Sequence, residues 1–457
     1  MDNLQTNVAA ATQVRAQHSK TRYYILAMIF LVTAINYGDR ATLSMAASPM
    51  SQELGLNSIT MGYVFSAFAW AYVIGQVPGG WLLDKFGARK VYFWSIFLWS
   101  LFTALMGFID IFGSLSLIIS SLFILRFLVG LAESPAFPGN SQIVAAWFPT
   151  KERGTAAAVF NSAQYFATVI FAPIMGWLVT HIHWQSVFWM MGGLGIVISF
   201  IWLKVIYSPE KHPSINTKEL EYIQAGGGLT KMGENQLKVI NQNNKMNWEN
   251  TKKLLSSRML LGIFIAQYCI TCLTYFFITW FPVYLVKERH MSILQAGFAA
   301  IIPALCGFIG GVLGGIVSDK LIRMNKSLTF SRKFPIILGM LLSTSIIVCN
   351  YVDSQTTILF FMSLAFFGKG FGALGWAVIS DVAPKEMIGL SGGLFNTFGN
   401  TAGIIIPIAI GYIISATGSF NGALIFVGIH AVVAILCYLF VVGKIQRFNL
   451  TTQIKDV

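Results

Sequence analysis

The chain has 457 residues, of which 55% are hydrophobic and only 11% charged. An ordinary soluble domain is about a quarter charged, so charges this sparse cannot cover a water-facing surface of this size, and lipid must be the solvent for most of the chain. The net charge of +13 raises nucleic acid as a partner, but the charges lie in short segments between apolar runs with no basic, aromatic-interleaved face, so no nucleic acid is required.

Residues 1–22 form a polar N-terminal tail. It has no short apolar core followed by a cleavage site, so the first helix itself is expected to direct insertion. A run of roughly 20 apolar residues spans the hydrocarbon core as a helix. Such runs predict helices near 23–46, 60–83, 90–110, 116–141, 154–180 and 185–206, a first six-helix bundle over 23–206. The stretch 207–256 is the only long hydrophilic one, and it reads as a linker. It holds Pro209 and Pro213, a short amphipathic helix from Lys218 to Ala225, the Gly226-Gly227-Gly228 turn and a Lys/Asn-rich piece. Helices near 259–286, 293–318, 333–352, 356–380, 388–415 and 420–442 make a second bundle over 257–443, and 444–457 is a C-terminal tail. The fold expected is therefore an all-α membrane protein of twelve transmembrane helices.

Basic residues set the orientation through the positive-inside rule. With both termini cytoplasmic, 26 of the 31 Lys and Arg fall on the cytoplasmic side. Only Lys287 and Arg289 fall outside, and Arg40, Arg126 and Lys369 lie within helices.

The halves repeat at an offset of 235 residues: GGWLLDK at Gly79–Lys85 recurs as GGIVSDK at Gly314–Lys320, Pro149 and Gly154 as Pro384 and Gly389, and Gly176 as Gly411. Parallel six-helix repeats build one major class of secondary transporter, related by an axis along the membrane normal, with the substrate at their interface. The loop after the second helix, with Gly80, Asp84, Gly87, Arg89 and Lys90, resembles the signature loop of the major facilitator superfamily. Asp84 is placed to meet a helix N-terminus of the opposite half, that of the eleventh helix, as a charge–dipole latch when the cavity opens outward. The alternative is a solvated loop charge.

Ionisable residues inside a bilayer are costly and need a reason. Five qualify: Asp39 and Arg40 in the first helix, Arg126 and Glu133 in the fourth and Lys369 in the tenth. They could be structural ion pairs, Asp39 with Arg126 or Glu133 with Arg40. A self-neutralising set would not need a surplus cation, however, and here cations outnumber acids three to two. The surplus suits an anion. Burial disfavours a bare carboxylate and a neighbouring cation favours it, so an acid that loses its arginine to an arriving anion takes up a proton. Asp39 and Glu133 are the candidate proton carriers. Arg40 and Arg126 are the candidate carboxylate clamps, because guanidinium binds carboxylate bidentately. Tyr37, Tyr72, Asn161, Gln164, Gln267, Tyr268, Trp376 and Asn396 lie in apolar runs. As a set they suit a polyhydroxylated solute, though each could serve a helix–helix hydrogen bond instead.

No nucleophile arrangement, cofactor loop or Walker-type phosphate loop is seen, so an enzyme is not expected. Cys269 and Cys272 have the spacing of half a zinc site, but no second pair or His cluster completes it, and they read as buried small residues.

Several stretches carry a closer resemblance. Asn36–Ser44 and Ser66–Gln76 resemble the anion:cation symporters of the major facilitator superfamily. Arg126–Glu133, Phe137–Asn140, Phe160–Thr168 and Phe366–Gly370 bring the chain nearest to the bacterial glucarate/galactarate transporters. That resemblance covers essentially the whole chain and is weakest in the central linker and both tails. It implies proton-coupled uptake of a sugar diacid by a monomer in the bacterial inner membrane, with no cofactor beyond the coupling proton. The positions matching Tyr37, Arg40, Tyr72, Arg126, Gln164, Trp376 and Asn396 would contact the sugar acid, and those matching Asp39 and Glu133 would couple protons. Lys369, on the second half, could receive a second carboxylate, or could instead be a structural lysine bonded to carbonyls. Uptake of a monoacid such as galactonate or a hexuronate, and sugar-acid export, are the competing readings within transporters.

Overall fold

The computed structural model describes residues 19–230, 248–384 and 387–448. Most of the N-terminal tail, the Lys/Asn-rich piece of the linker and the end of the C-terminal tail lie outside the described residues. The first half contains α1 (Thr21–Leu54), α2 (Ser58–Phe86), α3 (Ala88–Met106), α4 (Leu115–Trp147), α5 (Arg153–His181) and α6 (Gln185–Val205). The second contains α7 (Arg258–Thr279, continued by Phe281–Lys287), α8 (Ile293–Arg323), α9 (Leu328–Tyr351), α10 (Gln355–Val382), α11 (Ile388–Thr417) and α12 (Asn421–Val441). Among the described residues, ten of these are long and apolar enough to cross a membrane. The other two are α1, which carries Asp39 and Arg40, and α3, whose first turn holds Arg89 and Lys90.

Polar caps and glycine set several helix ends. Asn57 accepts the Thr60 N–H at 2.8 Å to start α2, and Gly55 in the left-handed region (φ 70°) ends α1. The fourth helix runs beyond its expected end near 141, in two pieces, Leu115–Glu133 and Ala136–Trp147. Pro135, which has no N–H, sits at the break. The break lies directly after Glu133.

Within the first half α1 packs on α5, α2 on α4 and α3 on α6; within the second, α7 packs on α11, α8 on α10 and α9 on α10. The halves meet through α2 against α11 and α5 against α8. The repeat is visible in that contact. A methyl group added to Gly62 would stand 2.6 Å from the Pro407 carbonyl oxygen, and one on Gly297, 235 positions later, 2.6 Å from that of Ala172. Gly176 and Gly411 approach the Ile293 and Ser58 carbonyls in the same paired fashion. Only glycine lets these backbones come so close.

All four approaches lie toward the ends remote from the linker. The described hydrogen bonds and ring contacts between the halves follow suit: Tyr63 with Tyr412 (3.2 Å between hydroxyls), Phe65 with Trp280, Tyr165 with Phe308 and Phe366, and Asn396 Nδ2 donating to Gln76 Oε1 at 3.2 Å. The last pair is the nearest of them to the linker face. The bundles are closed at the distal face and apart toward the linker.

The start of the linker is not a loose tether. Its short helix Thr217–Ala225 matches the expected one to within a residue and docks beneath the first half. Glu219, fully buried, accepts from Ser19 Oγ (2.5 Å), the Thr21 and Arg22 N–H groups (3.1 and 3.3 Å) and Arg22 Nη1 (3.0 Å). Arg22 Nε also bonds Glu152 at 3.2 Å.

Candidate functional site

The four charged residues of α1 and α4 converge inside the first half. Arg126 and Glu133 are seven residues apart, hence about two turns apart on one face of α4, and α1 runs alongside. Arg40 Nε donates to Glu133 Oε2 at 2.9 Å, with the Glu133 side chain wholly buried. Arg126 Nη2 donates to the Arg40 backbone carbonyl at 3.0 Å. Asp39 bonds to neither arginine. Its Oδ2 accepts from Thr103 Oγ1 of α3 at 2.8 Å. Of the two ion pairs the sequence allowed, one is formed and the other is not.

Aromatic rings hold the guanidinium groups. Arg40 Cζ lies 4.9, 4.6 and 5.0 Å from the ring centres of Tyr37, Phe68 and Tyr72, and Arg126 Cζ lies 5.1 Å from Phe68. Such contacts are worth about 0.5–2 kcal/mol each, most where water is excluded. Hydrogen bonding is nevertheless incomplete. Arg40 Nη2, Arg126 Nε and Nη1, Glu133 Oε1 and Asp39 Oδ1 are buried and meet no partner among the described residues. Buried polar groups are normally paired, so three unmet guanidinium donors in one place mark a spot that can hold an anion.

Beside this cluster lies a cavity of about 710 Å³, including the part continuous with solvent, between the halves. Tyr37, Ala41 and Ser44 of α1, Gln164 and Thr168 of α5, Thr274 and Phe277 of α7, Pro303 of α8 and Phe366 of α10 line it. Tyr37 both lines the cavity and packs against Arg40, so one ring separates cavity from cation.

The remaining expected ligands divide. Tyr72 is buried against Arg40, and Gln164 lines the cavity with its amide donating to the Asn161 carbonyl. Asn396 joins Gln76 across the halves and accepts from Asn400 at 3.1 Å. Trp376 is 55% exposed, with its ring 5.0 Å from that of Phe395. Lys369 is buried with its Nζ 5.3 Å from the Phe366 ring, which faces the cavity, and no acid pairs with it among the described residues. Of the expected ligands Tyr37 and Gln164 line the cavity, Tyr72, Lys369, Trp376 and Asn396 stand outside its lining, and Tyr268 turns away from it. Its ring packs toward His430 of α12, 5.7 Å away, because it points off the Thr274–Phe277 face of α7 that lines the cavity.

In the loop region, Asp84 accepts from Gln142 of its own half at 2.8 Å rather than meeting α11. Gly87, at φ 81°, turns the chain between α2 and α3. Arg89 donates to the Leu203 carbonyl and stacks on Tyr207, Gly80 has open space beside it and Lys90 is exposed. Sequence reasoning passed over Thr103, Gln76, Tyr275 and Asn400; Tyr275 donates to Asn400 Oδ1 at 3.0 Å. Only their polarity within apolar runs could have flagged them, and threonine is too common in helices for that to single out Thr103.

With this geometry in place, the chain can be compared with known proteins. Residues 29–331 match the Major Facilitator Superfamily, and the chain belongs to that family. It is 64% identical to the probable galactarate/D-glucarate transporter GudP of Escherichia coli (strain K12) over 441 residues, 96% of this chain and 97% of the relative. It is 61% identical to the probable galactarate/D-glucarate transporter GudP of Bacillus subtilis (strain 168), over 98% of this chain and 97% of that protein. Among solved structures, a bacterial homologue of the human lysosomal transporter Spinster, inward-facing and unoccupied, superposes with a TM-score of 0.70 at 16% identity, covering 92% of this chain and 97% of that one. The chain is therefore a multi-pass membrane transporter with the all-helical fold of this superfamily, and not an enzyme.

Proposed function

We propose that this chain takes up a sugar diacid, D-glucarate or galactarate, together with protons, by alternating access across the bacterial inner membrane. The relatives just described are named for those two diacids. The observation that carries the mechanism is Arg40 held at 2.9 Å by the buried Glu133, with two unmet donors of Arg126 beside it.

An arriving carboxylate competes with Glu133 for Arg40 and takes up the free donors of Arg126. Glu133, deprived of its cation, then accepts a proton, so anion and proton enter together. Asp39, held by Thr103, is the second proton carrier. Tyr37, Tyr72, Gln164, Trp376 and Asn396 supply hydrogen bonds to the sugar hydroxyls. Lys369, on the opposite half and without an acid partner among the described residues, receives the distal carboxylate and helps draw the bundles together.

The basic linker face is cytoplasmic by the positive-inside rule, so the separation of the halves toward the linker is an inward-open state. In the outward-open state the Gly80–Lys90 loop docks on the other half through Asp84, which leaves Gln142 to do so. The transporter works as a monomer, one cavity per chain.

Uptake of labelled galactarate and glucarate into proteoliposomes, with and without an imposed inward proton gradient, tests this reading, with galactonate as the monoacid control. Glu133→Gln should abolish gradient-driven accumulation, by about 100-fold or more, while exchange of internal for external substrate persists. Accumulation that survives Glu133→Gln would refute the proton role, and no diacid uptake at all would refute the substrate.

A further inference from the structure

The geometry points to a buried polar file inside the first half, from Glu133 through Asn36, Asn140 and Thr33 to Tyr92, that carries the coupling proton between Glu133 and the linker face, apart from the substrate cavity. This rests on the proton-coupled reading above.

Chain direction sets the order of the file. Toward the linker, α1 descends from Arg40 through Asn36 to Thr33, and α4 descends from Glu133 to Asn140. Tyr92 lies one turn inside the linker end of α3. Seven residues, across the break in α4, separate Glu133 from Asn140. All five residues are within 2% of complete burial. One direct bond is formed, Asn140 Nδ2 to Thr33 Oγ1 at 3.0 Å. Asn36 lies within hydrogen-bonding reach of Glu133, and Asn140 of Tyr92, yet neither pair has the alignment of a formed bond: Glu133 Oε1, both polar atoms of the Asn36 side chain, Asn140 Oδ1 and the Tyr92 hydroxyl lack an aligned partner among the described residues.

Five such buried atoms on neighbouring side chains are unusual, because such atoms are normally satisfied by protein or ordered water. Spaced polar partners of this kind hold buried water. Asparagine itself relays nothing, but it anchors water from both ends of its amide, and a tyrosine hydroxyl both gives and accepts. No member below Glu133 is charged, so the file offers a proton no resting trap. The charged neighbours of Glu133 are Arg40, Asp39 and Arg126, at its upper end. Glu133 is thereby divided: Oε2 answers to Arg40 and the cavity, Oε1 to the file.

Tyr92→Phe is the decisive variant, since it deletes only the hydroxyl that faces Asn140 and leaves the ring packed on Trp202. Asn140→Leu breaks the file at a second place. In proteoliposomes both should lower galactarate uptake driven by a proton gradient by about ten-fold or more, with galactarate counterflow at equal pH changed by less than about two-fold. Asn140→Ser, which keeps a polar group, should recover gradient-driven uptake. Equal losses in both assays, or gradient-driven uptake untouched by both substitutions, would overturn the file. If Glu133→Gln abolishes gradient-driven uptake and the two variants do not, only the file fails; if Glu133→Gln is also silent, the proton coupling fails with it.

Discussion

The four glycines at the distal contact make the balance between states open to measurement. In Gly62→Ala the new methyl group would meet the Pro407 carbonyl oxygen at 2.6 Å and Ile408 Cα at 3.2 Å, both backbone atoms, where ordinary contact is 3.4–4 Å. No side chain can yield, so α11 must retreat from α2 by the order of 1 Å. Overpacking of this kind costs about 1–3 kcal/mol. The two helices part at this level when the distal face opens, so the cost falls on the distal-closed state alone. The equilibrium should then move toward distal-open by about 5- to 150-fold. Gly411→Ala strains the same helix pair and should add little to Gly62→Ala, whereas Gly297→Ala strains α5 against α8 and should add fully. Spin labels at Phe112 and Tyr351, exposed positions on the distal face of each half, report the change as a growing long-distance population. An unchanged distance distribution, or a loss of thermal stability without a shift, would refute the reasoning.

Other outcomes follow from the same structure. Lys369→Gln should reduce diacid uptake by about ten-fold more than galactonate uptake, since a guiding charge is lost only where a second carboxylate exists; equal losses would favour a structural lysine. Glu219→Gln removes the charge from a fully buried carboxylate bonded to Arg22, and should destabilise the first half by about 3 kcal/mol, read from thermal unfolding in detergent. His212, against Trp147 and Tyr207, accepts the Ser214 N–H on Nδ1 at 3.1 Å, so only the neutral ring fits, and burial holds its pKa below the ordinary 6.5. A lowered folded pKa means the unfolded chain binds the proton better, so this contribution is full above pH 6.5 and fades as pH falls below it. The melting temperature should decline modestly over that range, and His212→Gln should flatten the decline.

How the parts were legible differs from residue to residue. Asp39, Arg40, Arg126 and Glu133 announce themselves, because charge in an apolar run is costly and needs a reason, structural or functional. Their partners do not. Whether Arg40 meets Glu133 and Asp39 meets Thr103 depends on the rotation of α1 against α3 and α4, which hydropathy does not encode. Gln164 and Tyr268 look alike in sequence, each polar in an apolar helix, yet one lines the cavity and the other packs on α12. The Asp84 contact depends on state: the halves stand apart at the linker face, so the latch finds Gln142 within its own half.

The amino-acid sequence alone determined the solvent, the number of spans, the duplication and the sign of the buried charge, since each is a sum along the chain that needs no knowledge of neighbours. The tertiary structure decided which cation is occupied and which donors stand free, which face of the molecule is closed, and that the linker's first helix is clamped to α1. Those are pairings between segments up to 349 residues apart, as for Tyr63 and Tyr412, and they are settled only when close backbone approach at glycine brings particular helix faces together.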